Sequence, residues 1–337
     1  MAQASYESLE PGQRDICERV IAAYDCWAPQ EPRAPRPLRR LDGGYSNVCV
    51  LLAGEGACYV LRLPQGTQAP YVNRQRELKL QRLASAAGLA PAVLYCDTKL
   101  GLMLTPYIRA DVPDGQRAPT SPPAIGTARA NAGRFAPHAR IEALARLLRR
   151  IHALSISPDD DGTASTEPPE LDPQAVDEPF RSSRGLRVWR DRARERDPLD
   201  ALSPAESATL ERCSERIDRD AVRPRVCHND LLEANCIASG GSLIAIDWEY
   251  ASLGDPFFDL ANTAAELADG DARALLRAYL EGPESAHDAQ RFEDQRRLQA
   301  AIAACWHAAR GQEEAVHAAL ERLRRLLTTH GAGKVSR

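Results

Sequence analysis

The sequence predicts an α+β fold with a small β-rich amino-terminal lobe and a larger, mainly helical carboxyl-terminal lobe. Two observations carry this prediction: extended, β-rich runs surround one helical pattern in the first third of the chain, and helical patterns dominate the rest. A third is size, because 337 residues with 44% apolar character can fill two modest cores. We therefore predict lobes at residues 1–107 and 108–330.

The amino-terminal lobe begins with helical spacing in residues 11–28, which a proline-rich stretch ends. Residues 47–53 and 57–63 are β-rich and are joined around Gly54-Glu55-Gly56, which predicts a hairpin. Residues 73–87 return to a helical period. Two further strands are predicted at residues 91–95 and 101–107.

The carboxyl-terminal lobe opens with a helical stripe over residues 141–151. Ser203 and Glu206 have the spacing of a capping box, with Pro204 in the first turn. Helical runs follow from residue 258 to 327, interrupted at Asp269-Gly270 and Gly282-Pro283. Two stretches without periodicity, about 111–137 and 155–177, are expected to be surface insertions.

Composition excludes several classes of protein. A formal net charge of -4 gives no basic field for nucleic acid. Nine scattered cysteines without a C-x-x-C pair predict reduced thiols and a cytoplasmic location. No apolar run is long enough to span a membrane, and residues 1–10 lack the pattern of a signal peptide. The sequence leaves the oligomeric state open.

The chemistry is concentrated in residues 226–260. Residues 235–239 and 242–247 are apolar and β-rich, and Gly240-Gly241 joins them. Such a hairpin returns Asp247 to the loop that ends at Asn235. Because magnesium prefers one or two oxygen-bearing side chains together with nucleotide phosphates, Asn235 and Asp247 are predicted to hold Mg²⁺.

Asp230 precedes Asn235 in the same loop and is predicted to be the catalytic base. A cluster of Asp230, Asp247 and Glu249 without a cation would repel itself, which also favours a bound divalent metal. With the metal on the phosphates, Asp230 can orient a substrate hydroxyl and accept its proton. His228 has no metal partner nearby in the sequence, and we expect it to orient the loop by hydrogen bonds.

These residues carry a resemblance to a known family. The stretches from Cys227 to Asn235, from Ile246 to Tyr250 and from Gly254 to Leu260 resemble the choline/ethanolamine kinase and aminoglycoside phosphotransferase superfamily in order and spacing. The bacterial choline kinase branch is the most similar. The resemblance covers roughly residues 41–327 without the insertions, and it implies a protein-kinase-like two-lobed fold.

The resemblance also implies an ATP site. Gly43, Gly44, Ser46 and Asn47 match the nucleotide loop, where backbone amides would approach the phosphates. By itself, the Gly-Gly pair would predict only a turn before a strand. Arg62 and Glu77 match the charged pair that holds the phosphates, although each could equally be a surface charge. Residues 103–108 match the hinge that contacts the adenine.

For the substrate, the resemblance implies a small cationic alcohol, most simply choline or ethanolamine. Glu249, Tyr250 and Trp306 are the predicted substrate contacts, with Tyr279 as a further candidate. Ala303 stands where the family often has a second tryptophan, which keeps thiamine and aminoglycosides open. Asp255 and Asp259 are expected to serve structure, Asp255 in a turn and Asp259 by capping a helix.

Two other classes are weighed against this one. The chain has no G-x-G-x-x-G loop, D-F-G or A-P-E motif, which argues against a protein kinase. A nucleotide-binding regulator without turnover stays open. The intact set of Asp230, Asn235 and Asp247 favours an active enzyme.

Overall fold

The computed structural model describes residues 6–41, 47–64, 71–111, 137–156, 178–220 and 222–328. They group into two compact units. The first comprises the described residues within 1–143, 156–172 and 233–251, and the second those within 144–155, 173–232 and 252–337. This grouping differs from the division at residue 107, which stays a prediction.

The first unit is built on a five-stranded antiparallel sheet with the order β1-β2-β3-β5-β4. Its strands are β1 (Arg36–Leu41), β2 (Asn47–Ala53), β3 (Cys58–Pro64), β4 (Tyr95–Asp97) and β5 (Leu102–Pro106). The predicted hairpin is confirmed, because β2 and β3 pair in continuous register from Asn47 opposite Pro64 to Ala53 opposite Cys58. The strand predicted at residues 91–95 was wrong: the strand begins at Tyr95.

Three helices accompany the sheet: α1 (Pro11–Ala22), α2 (Tyr24–Trp27) and α3 (Arg74–Ala86). The side chain of Asn73 caps α3 by accepting hydrogen bonds from the next turn. Along β3, alternate residues face opposite sides of the sheet. Tyr59, Leu61 and Leu63 belong to a core that also contains Val20 and Trp27, so one sheet face is covered by the leading helices.

Glu31 fixes the turn of the β2–β3 hairpin. Its carboxylate is 5% exposed and accepts hydrogen bonds from the Tyr59 hydroxyl at 2.8 Å and from the backbone N–H groups of Glu55, Gly56 and Ala57. A Cβ at Gly54 would lie 2.4 Å from this carboxylate, so the turn needs glycine there. The turn is therefore specified by a side chain distant in sequence.

A second hairpin belongs to the same unit. Strands β7 (Cys236–Ser239) and β8 (Ser242–Ala245) pair through the turn at Gly240 and Gly241, whose φ values are 59° and 75°. Positive φ at both positions is typical of the turn that suits a two-residue hairpin loop. The Asp111 carboxylate accepts hydrogen bonds from both glycine N–H groups, at 2.9 and 3.1 Å. The sequence-based hairpin is confirmed.

The second unit is mainly helical. It contains the short β6–β9 pair (Arg225–Cys227 with Ser252–Gly254). Its helices are the greater part of α4 (Pro137–His152), α5 (Ser182–Ala193), α6 (Pro204–Arg219), α7 (Pro256–Thr263), α8 (Asp269–Leu280), α9 (Ala286–Ala308) and α10 (Glu313–Thr328). With the sheet of the first unit, this confirms the α+β class.

Two helix boundaries test the sequence-based predictions. The capping box is confirmed, because the Ser203 side chain and Glu206 cap α6 reciprocally. The interruption predicted at Asp269-Gly270 lies two residues earlier, at Leu267 and Ala268, and Asp269 and Gly270 open α8 instead. An acidic residue in the first turn is stabilised by the helix dipole, which outweighs the weak helix propensity of glycine.

The state of the cysteines and the hydropathy of the helices agree with what the composition predicted. All nine cysteines are free. Among the helices of the described ranges, none combines the length and the apolar character that a membrane span requires.

We expect Glu31→Gln to lower the free energy of unfolding by about 2 kcal/mol, because the amide oxygen cannot accept from all four donors and leaves the buried Tyr59 hydroxyl or the turn N–H groups without an acceptor. Urea denaturation at pH 7 measures this. Glu55→Gln is the control, since the Glu55 side chain is 55% exposed and pairs with an Arg33 that is 83% exposed. Equal losses in both variants would contradict a specific role of Glu31.

The same carboxylate predicts a pH dependence. The Tyr59 hydroxyl, together with the three N–H donors, holds the pKa of Glu31 below its ordinary value of 4.5. A carboxylate with a depressed pKa stabilises the fold above its unfolded pKa, and this contribution is lost as the pH falls. The stability gap between the wild type and Glu31→Gln should therefore be constant near neutrality and shrink below about pH 4.5. Urea titrations from pH 7 to pH 3 check it, and a gap that widens with acid would refute it.

Candidate active site

The open face of the sheet forms one wall of a cavity within the first unit. Directly paired residues of antiparallel strands point to the same face. One such row runs across the sheet through Leu41, Cys49, Arg62 and Met103. All four line the cavity, so strand register alone places an arginine among apolar side chains.

The β7–β8 hairpin and the residues directly beside it supply five of the other lining residues, and the rest come from the sheet, from α3 and from nearby loops. The remaining lining residues are Asn47, Val60, Gln81, Pro91, Thr105, Pro106, Ile108, Ala234, Asn235, Ile237, Ile246 and Asp247. Asn47, Arg62, Asn235 and Asp247 are thus brought to one cavity. Four of the predicted hinge residues, within 103–108, line it as well. Their functional roles stay predictions.

A backbone hydrogen bond at the end of the β7–β8 hairpin brings the segments of Asn235 and Asp247 together. The N–H of Ile246 donates to the Asn235 carbonyl at 2.9 Å. Asp247 then takes a left-handed backbone with φ 62°, which is costly for a residue with a Cβ. This turn takes the chain out of the strand direction at the residue that carries the carboxylate.

The electrostatics of Asp247 fit a cation. Burial and then the Glu249 carboxylate raise the pKa of Asp247 from 3.8 to about 7, against the opposing effect of Arg62. Its Oδ1 atom is buried and accepts no hydrogen bond; the nearest positive charge is Arg62 Nη1 at 3.6 Å. The side chain as a whole keeps 33% exposure. A carboxylate oxygen without a hydrogen-bond donor among the described residues, in the same cavity as the Asn235 amide, is a donor set that suits Mg²⁺.

A chain of alternating charges extends from Asp247. Arg62 donates two hydrogen bonds to the Glu77 carboxylate, one of them from Nη2 to Oε2 at 2.9 Å. Glu77 is fully buried. Burial alone would raise the pKa of Glu77, but Arg62 and Arg74 hold it below its ordinary range. The pair that the sequence predicted between Arg62 and Glu77 therefore forms.

Arg74 is the site residue that the sequence-based prediction missed. Its Nη1 atom donates to Glu77 at 2.8 Å and to Glu249 at 3.2 Å. The Glu249 carboxylate, 2% exposed, also accepts from Asn47 Nδ2 at 2.9 Å. The spacing of Arg74 and Glu77, three residues apart at a helix start, was a usable signal for their own pair. Nothing in the spacing indicated Glu249 as a partner.

The loop that carries Asp230 belongs to the second unit. The N–H groups of His228 and Asn229 each donate to the Asp259 carboxylate at 2.8 Å. Asn229 has a left-handed backbone with φ 62°, and its Nδ2 donates to Ser252 Oγ at 2.8 Å. These bonds fix the loop directly before Asp230. Asp230 itself, as the catalytic base, stays a prediction.

Asp259 acts differently from the prediction. We expected it to cap a helix, which was wrong: it lies inside α7, and Asp255 is the cap, accepting from the Phe257 N–H at 2.9 Å. Asp259 instead holds the loop and contacts His152 Nε2 at 3.1 Å. Burial would raise the pKa of Asp259, but His152 and the N–H donors keep it low. Both acids therefore serve structure as expected, but Asp255 caps the helix and Asp259 supports the loop.

His152, Cys227 and Asp259 place possible metal ligands within 4.8 Å of one another. Both His152 nitrogens already have partners, namely Asp259 and the Tyr279 hydroxyl at 2.8 Å. Burial raises the pKa of the Cys227 thiol well above its ordinary value, which disfavours the thiolate that a metal requires. The cluster is therefore better described as a hydrogen-bonded network.

The predicted substrate residues have varied surroundings. Glu249 is buried against Arg74 and Asn47 in the first unit, which also contains Tyr250. In the second unit, the Arg310 guanidinium lies 3.7 Å from the centre of the Trp306 ring. Their role in substrate binding stays a prediction. Gly43, Gly44 and Ser46 of the predicted nucleotide loop lie outside the described residues.

We expect Asp259→Asn to destabilise the protein by about 3 kcal/mol, because an amide group would turn one donor towards backbone N–H groups that need an acceptor. Hydrogen exchange at the amides of His228 and Asn229 should accelerate together with this loss. Asp271→Asn, an exposed acid in the first turn of α8, is the control. Unchanged exchange at the two amides would refute the role of Asp259 in holding the loop.

The comparisons with known proteins define first a class and then a family. The fold is protein-kinase-like, with the small sheet-based and the mainly helical parts of that class. Residues 37–291 match the model of the phosphotransferase enzyme family, APH, and the chain belongs to this family.

One relative by sequence is Protein LicA of Haemophilus influenzae, which is 27% identical over 240 residues. The match covers 70% of this chain and 61% of LicA, so the chain spans about three fifths of the length of that relative.

Solved structures resemble the chain over nearly all of its length. A choline/ethanolamine kinase family protein from Mesorhizobium loti has a TM-score of 0.65 at 18% identity, covering 94% of this chain and 96% of its own. A Plasmodium vivax ethanolamine kinase has a TM-score of 0.67 at 14% identity, covering 95% and 89%. LicA in complex with AMP has a TM-score of 0.64 at 18% identity, covering 94% and 100%. At these identities the likeness is one of fold.

Proposed function

We propose that this protein is an ATP-dependent kinase that transfers the γ-phosphate to the hydroxyl of a small cationic alcohol, most simply choline or ethanolamine. The observation that carries the proposal is the cavity of the first unit, where an apolar sheet face meets Arg62, Asn235 and Asp247. Family membership and the functions of the proteins with similar structures support the same reaction.

The cavity lining supports a nucleotide as cofactor. Leu41, Val60, Met103 and Ile246 offer apolar surface to a base, while Arg62 offers a fixed positive charge to phosphates. A similar fold binds AMP in LicA. When bound, Mg²⁺ would neutralise charge on the phosphates and leave them open to attack. Asn235 and Asp247 are the residues that would hold it.

Asp230 is the proposed base. The Asp259 carboxylate accepts hydrogen bonds from the backbone of the two residues before Asp230. Asp230 therefore lies on a rigid loop. Asp230 would accept a hydrogen bond from the hydroxyl of the acceptor and take its proton as the new P–O bond forms and the bond to the leaving ADP oxygen breaks. His228, with its side chain fully buried, supports the loop.

The identity of the acceptor rests on the relatives. Thiamine or an aminoglycoside is the alternative within the enzyme class, and a nucleotide-binding regulator without turnover is the alternative outside it. We also propose a cytoplasmic location, which the nine free thiols support. Nucleic acid is not proposed as a partner.

A transfer assay with γ-labelled ATP and Mg²⁺ against choline, ethanolamine, thiamine and a panel of aminoglycosides tests the proposal. Label should pass to choline or ethanolamine. Transfer to thiamine or an aminoglycoside alone would support the alternative kinase. If transfer stayed at the background level with every acceptor while nucleotide binding was measurable, the result would instead support a nucleotide-binding regulator without turnover.

We expect Asp230→Asn to lower kcat by about 10²–10⁴-fold, because the amide cannot accept the proton of the acceptor. The KM for ATP should change less than about threefold, since a residue that acts on the acceptor contributes little to ground-state nucleotide binding. Steady-state kinetics with the preferred acceptor measure both constants. The exposed Asp191 of α5 supplies the control Asp191→Asn, and an equal loss there would rule out a specific role for Asp230.

A further inference from the structure

We propose that Arg74 is a positioning residue of the nucleotide and metal site, and that Glu249 is its partner rather than a ligand of the cationic acceptor. The nucleotide part of this inference rests on the proposed function. Arg74 would hold Asn47 and Glu249 against α3, and with them the start of β2 and the turn that carries Asp247.

A single guanidinium connects three separate parts of the chain. Arg74 Nη1 donates to Glu77 Oε2 at 2.8 Å within α3 and to Glu249 Oε2 at 3.2 Å beyond β8. Its Nη2 donates to Asn47 Oδ1 at 3.3 Å at the start of β2. Asn47 in turn donates to Glu249 at 2.9 Å. Arg74, Asn47 and Glu249 thus form a closed triangle of hydrogen bonds.

Burial makes this triangle consequential. The side chains of Arg74, Glu77 and Glu249 are 13%, 0% and 3% exposed. A buried carboxylate without a counter-charge is strongly destabilising. If Arg74 were removed, the Glu77 carboxylate would still have the positive charge of Arg62 as its partner. Of the residues in the triangle, Glu249 would then have only the neutral amide of Asn47 as a hydrogen-bond donor.

The triangle lies next to the predicted metal ligand in the chain. Glu249 follows Asp247 by two residues, and Trp248 between them is fully buried with its Nε1 donating to the Ala245 carbonyl at 3.1 Å. The segment therefore has little freedom to absorb a displacement of Glu249. A shift at Glu249 is expected to move the Asp247 carboxylate, and a shift at Asn47 to move the strand that follows the predicted phosphate loop.

The same contacts bear on the acceptor. A carboxylate that attracts a substrate ammonium must have charge to offer, but Glu249 Oε2 already accepts from Arg74 and Asn47. Its contribution should therefore appear in the affinity for the Mg²⁺-nucleotide complex. The alternative, a direct contact with the acceptor, predicts a change in the KM for the alcohol instead.

Calorimetric titration with a non-hydrolysable ATP analogue, with and without Mg²⁺, tests the proposal without turnover. Arg74→Met should weaken binding of the Mg²⁺ complex about tenfold or more, the usual effect of removing an outer support of a metal site. Arg74→Lys keeps the charge and should recover most of the loss. Arg82→Met makes the same substitution at an exposed position of α3 and should bind like the wild type.

A double-mutant cycle isolates the pair. If Arg74 acts through Glu249, Arg74→Met alone leaves the Glu249 carboxylate buried without a counter-charge. Adding Glu249→Gln removes that charge. Arg74→Met combined with Glu249→Gln should therefore bind better than the product of the two single effects predicts. Losses that simply multiply would overturn the proposed partnership.

Kinetics separate this inference from the proposed function. Arg74→Met and Glu249→Gln should raise the KM for ATP and leave the KM for the acceptor within about twofold. A selective rise in the KM for the acceptor in Glu249→Gln would overturn the proposal in favour of a substrate ligand. If the wild type transfers no phosphate, the proposed function fails, and the titrations still decide the role of Arg74. Should Arg74→Met not fold, Glu249→Gln supplies the comparison with the wild type, and unchanged binding of the Mg²⁺-nucleotide complex in that variant would overturn the proposal.

Discussion

The site of the first unit depends on keeping charged groups ionised inside a protein. Arg62 and Arg74 alternate with Glu77 and Glu249, and all four side chains are nearly buried. Each would be costly alone, because desolvation of an isolated charge exceeds what packing returns. Paired in this order they satisfy one another, and Asp247 is left at the end of the chain with an oxygen that has no hydrogen-bond donor. Among the described residues, Asp247 Oδ1 therefore has only the ion pair with Arg62 at 3.6 Å, which fits the Mg²⁺ site that we propose.

In the second unit, hydrogen bonds stabilise a loop that has a strained backbone conformation. Asn229 has a left-handed backbone that is unfavourable for a residue with a side chain. Asp259 and Ser252 compensate with hydrogen bonds to its backbone and its amide. His152 contacts Asp259 through Nε2, and the Tyr279 hydroxyl contacts the other ring nitrogen of His152. Such support suits the proposed role of Asp230 as catalytic base, because a small displacement from the reacting hydroxyl is costly in rate.

Much of the fold was predictable where local rules are strong. The β2–β3 and β7–β8 hairpins follow from β-rich runs around glycine turns, and the capping box marked the start of α6. Prediction failed where tertiary contacts decide. Residues 291–301 of α9 are buried throughout, although five of these eleven residues are charged. Asp294, for example, is neutralised by Arg216 from α6, a partner that no periodicity could indicate.

By itself, the sequence determined the α+β class and the two hairpins, and it indicated Arg62, Asn235 and Asp247 of the candidate site, because turn chemistry and motif spacing act over short stretches of chain. Only the tertiary structure decided which groups share a partner: Glu31 with the β2–β3 turn, Asp259 with the loop before Asp230, and Arg74 with Glu249. The physical reason is that a buried charge must be compensated by whatever group the fold brings within hydrogen-bonding distance. That distance depends on the packing of segments far apart in the chain.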